Sequence, residues 1–480
     1  MTDGSATPIV ETLATVVIVN WNGAHLLPAC LDGLARQTDG RFHTWVVDNA
    51  SADGSVELLR SRYPHVRVLE APRNLGFAGG NNFALHEVAT PYAVLLNNDA
   101  TPEPDWFARL LEPFETGNPA DPADPAAGPP VGAVTGKVVF LPSFLRLRLE
   151  TEAFVPGAHD SRELGVRVSG LRVDGVETLN EVLWERLTYG AEGPPDARFF
   201  WTRPAGELLV PIPRGRPADP LTLELTWSGE RAKTVTLSWD GGSADLPAAP
   251  AAATVSVELP ADLPRVDVIN NAGGVVLTEG YGADRGYQQV DDGSYDEPVE
   301  VFTACGNGMA VRTELGHRLG WFDDDFFLYY EDTDLSWRIR SSGYAIRYQP
   351  SAVLRHVHAA SSKEWSPLFV FHVDRNRLLM LTKDASAALA VRAVLRYPLT
   401  TVSMALRSVR QGVADRRRPA VRPTLLRLRV IASYLRLLPR MLKRRREIGQ
   451  LGTLGTAATG RRALEKRWLI SAAEWTRQID

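Results

Sequence analysis

The chain has 480 residues, 44% hydrophobic and 23% charged, ordinary for a soluble globular protein of two or three domains at about 100–200 residues each. Its two cysteines, Cys30 and Cys305, exclude a disulfide framework and suit a reducing compartment. A polar Met1–Glu11 argues against a secretory signal, and the lack of any uninterrupted apolar run of about 18 residues argues against a membrane span. The net charge of −4 conceals an asymmetry: Ser386–Asp480 carries 21 Lys+Arg against 5 Asp+Glu, or +16, leaving −4 − 16 = −20 elsewhere. Such a tail suits an anionic partner, membrane phospholipid or nucleic acid, or else is a solvated arginine-rich helical surface.

The first 110 residues alternate short apolar runs with helical patterns. Ala14–Asn20 (ATVVIVN) reads as a buried parallel strand, followed by a helix carrying Leu26, Leu27, Cys30, Leu31 and Leu34. Further strands are predicted at Phe42–Asp48, Val66–Glu70 and Tyr92–Asn97, with helices over Ser55–Ser61 and Phe77–Val88. This alternation calls for βαβ units on a parallel sheet, where ligands bind beyond the carboxyl ends of the strands. Three of those ends carry polar residues: Asn20, Asp48 and Asn97–Asp99. Asn118–Pro130 reads as a linker and Val131–Phe140 as a strand. From Leu141 to Pro264, period-2 runs such as LTLELTW (Leu221–Trp227), TVTLSW (Thr234–Trp239) and TVSVEL (Thr254–Leu259) predict an inserted antiparallel sandwich. Trp184, Trp201, Trp227 and Trp239 in it are sandwich core or platforms for sugar rings. Mixed α/β texture returns over Val266–Ser361, and helix dominates after Leu368. Pro398, Pro419, Pro423 and Pro439 are expected to break the tail into short helices.

Five segments carry candidate chemistry. DNASADGS after Asp48 offers a carboxylate to a base or ribose, or makes an Asx turn capping the next helix. RNLGFAGGNN (Arg73–Asn82) permits close backbone approach to a ligand, or is a tight helix start. LLNNDAT (Leu95–Thr101) places an acid just past a buried strand, where it suits Mg²⁺ or Mn²⁺, or an N-cap. DDDFFLYYEDTDLSWRIR (Asp323–Arg340) crowds carboxylates among aromatic rings at a helix start, which suits a general base of raised pKa as well as plain capping. In RHVHAASS (Arg355–Ser362), His356 and His358 share a strand face, and one of them could complete a metal site with Asp99.

Taken in order, VVIVNWNG, VVDNASADGS, NLGFAGGNN, LLNNDATPEPDW, YYEDTDLSWR and RHVHAASS resemble glycosyltransferase family 2, with the nearest likeness to bacterial rhamnosyltransferase-like members. The resemblance spans Thr15–Phe140 and Val266–Leu379. It implies an α/β GT-A nucleotide-diphospho-sugar transferase fold, interrupted by the β-sandwich-like insertion and followed by the basic helical region. The implied domains are a nucleotide-sugar half (1–140), the insertion (141–264), an acceptor and catalytic half (265–384) and the tail (385–480).

Carried over residue by residue, the likeness assigns nucleotide contacts to Asn20, Asp48, Asn49, Asn74, Gly76, Asn81, Asn97 and Asn98. Asp99 matches the last residue of the family's D-x-D metal motif, whose first position is here Asn97. His356, with His358 as second choice, matches its metal histidine, and the implied cofactor is Mg²⁺ or Mn²⁺. Asp332, beside Glu331, matches the catalytic base. Cys305, Gly306, Asn307 and Trp337 fall on the acceptor side, and Arg375 and Asn376 are placed for contact with a phosphate. The implied reaction is inverting transfer, taken as rhamnose from dTDP-rhamnose, to a hydroxyl of a cell-envelope glycan or polyprenyl-linked precursor. Residues 391–446 would meet an anionic membrane from the cytoplasmic side, and no nucleic acid is expected. The rival reading is a catalytically silent carbohydrate-binding or scaffold protein on the same fold.

Overall fold

A computed structural model describes residues 11–116, 128–157, 160–184, 187–194, 197–216, 219–357, 366–414, 416, 418–450 and 460–479. Most of the expected linker at Asn118–Pro130, and His358 with the rest of its motif, lie outside the described residues. The chain divides into two compact units, residues 1–139 with 269–287 and 293–480, and residues 140–268 with 288–292.

The first unit is built on a ten-stranded sheet. Its strands are β1 (Ala14–Asn20), β2 (Phe42–Asp48), β3 (Arg67–Glu70), β4 (Tyr92–Asn97), β5 (Ala100–Pro102), β6 (Val131–Phe140), β7 (Ile269–Asn271), β8 (Val299–Glu300), β9 (Gly308–Arg312) and β10 (Ala345–His356). The order β8-β10-β6-β9-β4-β1-β2-β3 has β5 paired with β10 and β7 paired with β6. β1 runs parallel to β2 and β4, and β2 parallel to β3, as the apolar β-branched runs foretold. Their order reverses at β1, so the crevice past the ends of β1 and β4 is the ligand-binding position of an open α/β sheet. β9 enters antiparallel beside β4, with Gly308 opposite Leu96. That register sets Asn307 against Asn97 at the same sheet edge.

Helices α1 (Leu27–Ala35), α2 (Ser55–Arg62), α3 (Gly76–Leu85), α4 (Trp106–Thr116), α5 (Thr313–Leu319) and α6 (Glu331–Ser341) flank the sheet strands. Helix α6 is buried almost all round, from Asp334 to Ser341. Helices α7 (Pro367–Asp384), α8 (Ala387–Ala414) and α9 (Arg422–Gln450) follow. Here one expectation fails: α8 and α9 run 28 and 29 residues, straight through Pro398 and Pro439. Both prolines are solvent-exposed, so water can satisfy the carbonyls they orphan. Packing supplies the rest, because Val430, Tyr434, Leu437 and Met441 form one buried stripe in a cluster with Leu378, Leu379 and Leu381 of α7. The basic tail belongs to the α/β unit's own core.

Much of its positive charge is also spent internally. Arg440 and Arg444 pair with Asp325, Arg444 also with Asp323, and Arg445 donates to the carbonyls of Thr382 and Ala385. Lys383, at the end of α7, is buried between Asp323 and Asp334, and Asp334 is further bound by Arg338. Burial works to raise the Asp334 pKa, yet the Arg338 and Lys383 charges hold it down at about 2. Asp384, buried beside it, is pushed well up by burial and by the Asp334 charge. Among the described residues no helix is long and apolar enough to cross a membrane.

The second unit is an antiparallel sandwich. One sheet holds Arg167–Val173, Val176–Glu177, Thr188–Glu192, Phe199–Thr202, Leu221–Ser228 and Ala253–Leu259. The other holds Ser143–Thr151, Ala205–Ile212, Lys233–Trp239, Gly242–Ala248 and Arg265–Val266. Alternate residues such as Leu147, Leu149, Leu223, Leu225, Val235 and Leu237 fill the space between the sheets. The open question over the tryptophans resolves for two of them. Trp227 is fully buried with its Nε1 donating to the Pro247 carbonyl, and Trp184 is buried, stacked on Phe200. Trp239 packs only partly against the core.

Candidate active site

A cavity of about 820 Å³ opens where β4, β9, β10 and the start of α6 meet. Strand register explains what lines it. β5 pairs with β10 so that His356 lies opposite Ala100, and Val357 N–H donates to the Asp99 carbonyl. That brings His356 Nε2 to 3.2 Å from Asp99 Oδ1. Both side chains are nearly buried, and Asp99 Oδ1 makes no hydrogen bond. A buried carboxylate oxygen without a donor, facing an imidazole nitrogen, fits a divalent cation. Among the described residues no group of three or more His, Cys, Asp or Glu could hold a metal, so these residues offer two ligands here. A diphosphate and water would supply the remaining positions, as Mg²⁺ commonly requires.

On the other wall stand Glu331 and Asp332, in the first turn of α6. Asp332 Oδ2 accepts the Gly306 N–H at 3.1 Å, and Oδ1 accepts the Thr333 N–H at 2.6 Å. Burial raises the Asp332 pKa above the ordinary carboxylate value, with these hydrogen bonds opposing part of the rise. Glu331 is pushed well up, first by burial and then by the Asp332 charge, and its Oε2 has no hydrogen-bond partner.

Residues 305–307 join the two walls. Gly306 holds Asp332, while Asn307 Oδ1 accepts from Asn97 Nδ2 at 2.8 Å and Asn307 Nδ2 lies 3.4 Å from His356 Nδ1. Cys305 also lines the cavity, and burial holds its thiol well above the ordinary value, which disfavours the thiolate.

The loop feeding α6 is strained. Phe327, Tyr329 and Tyr330 all have positive φ, at 65°, 69° and 70°. Asn376 of α7 pins it by donating to the carbonyls of Phe326, Leu328 and Tyr329, and Arg375 donates to those of Asp325 and Phe326. The phosphate contact expected of Arg375 and Asn376 is therefore corrected: the Asn376 amide and Arg375 Nη2 bind this loop, and Arg375 Nε binds Asn376 Oδ1. Gly76 serves it as well. With φ at +73°, a Cβ there would lie 2.4 Å from the Phe327 carbonyl oxygen, which accepts the N–H groups of Phe77 and Ala78. Gly76→Ala is expected to cost about 1–3 kcal/mol and to displace the loop before Asp332. Unchanged thermal stability would contradict that role.

The other nucleotide candidates, at the ends of β1, β2 and β4 and at or within α3, lie outside the wall of this cavity. Asn20 is fully buried, its Oδ1 accepting from Asn98 Nδ2 at 2.8 Å and its Nδ2 lying 3.5 Å from Asp48 Oδ1. Asp48 Oδ2 accepts the Ser51 N–H. Asn49 bonds Asn74 and the Gly76 carbonyl, and Asn81 turns back to the Phe77 carbonyl. These residues fasten the strand-end loops to one another. Trp337, placed on the acceptor side, is corrected too: it is fully buried, edge-on to Phe302, because α6 is inside the core.

Sequence reasoning passed over Asn270 and Asn271, which line the cavity; Asn270 Oδ1 is 3.3 Å from His356 Nδ1. Their signal was the one already in use, polar residues ending an apolar run.

The first unit is thus a mixed α/β sheet with a polar cavity beside the end of β4. Residues 15–127 match the family model described as glycosyl transferase family 2. A teichoic acid poly(glycerol phosphate) polymerase from Staphylococcus epidermidis is 28% identical over 89 residues, 18% of this chain. The chain spans only 12% of that relative's length. Among solved structures, GalNAc-T7 with UDP, GalNAc and Mn²⁺ aligns at a TM-score of 0.41 and 12% identity, covering 78% of this chain and 48% of the other. The mannosyltransferase PcManGT from Pyrobaculum calidifontis, in complex with GDP-Man and Mn²⁺, aligns at 0.39 and 15% identity, covering 94% and 89%.

Proposed function

We propose that the chain is a metal-dependent, inverting glycosyltransferase that moves a sugar from a nucleotide-diphospho-sugar to a hydroxyl of a cell-envelope glycan or polyprenyl-linked precursor. The observation that carries this reading is one cavity with the Asp99–His356 pair on one wall and Glu331–Asp332 on the other. Asp332 takes the acceptor proton as the hydroxyl attacks the anomeric carbon in line, and a single displacement inverts that centre. A divalent metal held by Asp99 Oδ1 and His356 Nε2 would supply positive charge to the departing diphosphate. Burial and the Asp332 charge push Glu331 up further than burial pushes Asp332, which favours Asp332 as the charged member of the pair. The family 2 match and the teichoic acid polymerase likeness support a cell-envelope acceptor. For the donor we propose dTDP-rhamnose, on the motif likeness alone.

Incubation of the full chain with a panel of nucleotide sugars and Mn²⁺ tests this. Cleavage of dTDP-rhamnose in preference to the others is expected, abolished by EDTA and much reduced in His356→Ala. Failure to cleave any donor would favour the silent carbohydrate-binding alternative.

We also propose that α8 and α9 rest on an anionic membrane from the cytoplasmic side. Val391, Leu395, Leu399, Val402, Leu406, Val409 and Val413 form an exposed stripe along α8, and Leu425, Leu428, Leu435 and Leu442 a second along α9. Arginines flank both, and each basic residue near an anionic surface contributes about 1 kcal/mol. The chain should float with phosphatidylglycerol vesicles at low salt and not with phosphatidylcholine. Equal flotation with both, or with neither, would count against this contact.

A further inference from the structure

A second cavity, of about 260 Å³, lies beside the first, and Tyr281 and Arg427 line both. Four arginines face it, Arg377 from α7, Arg392 and Arg396 from α8 and Arg427 from α9, against one carboxylate, Glu279. The lining therefore carries 4 − 1 = +3 charges. Asp374, behind it, is engaged by Tyr397 Oη at 2.7 Å and lies 3.6 Å from Arg427.

Convergent arginines repel one another, and a fold tolerates them where an anion completes the site. Their donors are only partly used. Arg377 is buried, its Nη1 donating to the Glu279 carbonyl while its Nε has no hydrogen-bond partner. Arg392 gives one bond to the Thr278 carbonyl. Arg427 is held by Thr400, Thr401 and the Tyr397 carbonyl, with its guanidinium 3.9 Å from the Tyr397 ring centre. Arg377 lies likewise 4.0 Å from that of Tyr281. Stacking of this kind fixes the planar forks in place, as phosphate recognition requires. Arg396 makes no hydrogen bond or ion pair among the described residues. At roughly 30 Å³ per water, the volume holds about eight or nine waters, room for a phosphate or diphosphate.

We propose that this cavity is an anion subsite for the phosphate or diphosphate group of the acceptor. It shares Tyr281 and Arg427 with the cavity that holds Asp332, so an acceptor anchored by its phosphate at the arginines would extend its hydroxyl toward the base. Leu395 and Leu399, exposed on α8 beside Arg396, would take the first apolar carbons of a lipid-linked acceptor. The inference rests on the transferase reading and names the acceptor's class.

The test is direct binding of farnesyl diphosphate to the full chain by calorimetry, without donor, with inorganic pyrophosphate and farnesol as competitors. Arg396→Glu, on an exposed helix face, is expected to weaken binding at least about tenfold, Arg396→Lys far less, and added salt should weaken the wild type. Farnesyl diphosphate bound more tightly than pyrophosphate identifies a lipid-linked acceptor; equal binding identifies a soluble phosphate, and both support the subsite. Unchanged affinity in Arg396→Glu, or farnesol competing as well as the diphosphate, overturns it. Because binding is read without turnover, failure here leaves the transferase reading standing, whereas failure of the wild type to cleave any nucleotide sugar overturns that reading separately.

Discussion

Asp332→Asn is expected to lower kcat by about 10²–10⁴-fold, the usual contribution of a positioned base, while donor affinity changes little. The amide keeps the size of the carboxylate, and its single oxygen can still accept from Gly306 or from Thr333, so one of the two bonds at the helix start remains. What it loses is the ability to take a proton. The wild-type rate should also carry a pH signature. Burial raises the Asp332 pKa, and the base works only when ionised, so activity should fall on acidification with a midpoint above the ordinary aspartate value. A variant with near-normal turnover, or an acid limb absent from the wild type, would show that another group takes the proton.

Lys383→Met should have the largest effect on stability, about 3–5 kcal/mol, the cost of breaking a buried ion pair from one side. The lysine is buried against Asp323 and Asp334, with Asp384 as its sequence neighbour. Arg338 still neutralises Asp334 in the variant, and Arg444 still pairs with Asp323, so the chain should fold. It should nonetheless melt several degrees lower, because three carboxylates then share two cations. The effect should extend to catalysis, since Asp334 lies two residues from Asp332 on α6. An unaltered melting temperature would mean that the cluster relaxes to admit water.

The parallel sheet was legible because its strands are buried on both faces and read as continuous β-branched runs, and the sandwich because Leu221–Trp227 and Thr254–Leu259 alternate strictly. The polar strand ends were legible for the same reason. The partner of each strand-end residue was not. Asp99 meets His356 only because β5 pairs with β10, and Asn307 meets Asn97 only because β9 enters beside β4; both are registers between distant segments. Gly76 looked like a ligand-binding glycine because a close backbone approach leaves one trace whether the visitor is a nucleotide or the Phe327 carbonyl. Asn376 and Arg375 likewise advertise hydrogen-bond donors without naming what they bind. Trp337 was misplaced because α6 is buried nearly all round, and an amphipathic pattern assumes one wet face. Pro398 and Pro439 misled because a local penalty was weighed without the apolar stripes that outweigh it.

The sandwich interrupts the α/β unit between Val139 and Ile269, and those two residues are paired antiparallel, β6 against β7. In topological terms the insertion is the tip of a hairpin. Loop-closure entropy grows only slowly with length, and a sandwich that has folded returns its two ends near each other. The sheet can therefore zip across the gap as though a short turn stood there. A cassette with that property can be lengthened, exchanged or lost in descent without altering the order of strands that builds the crevice.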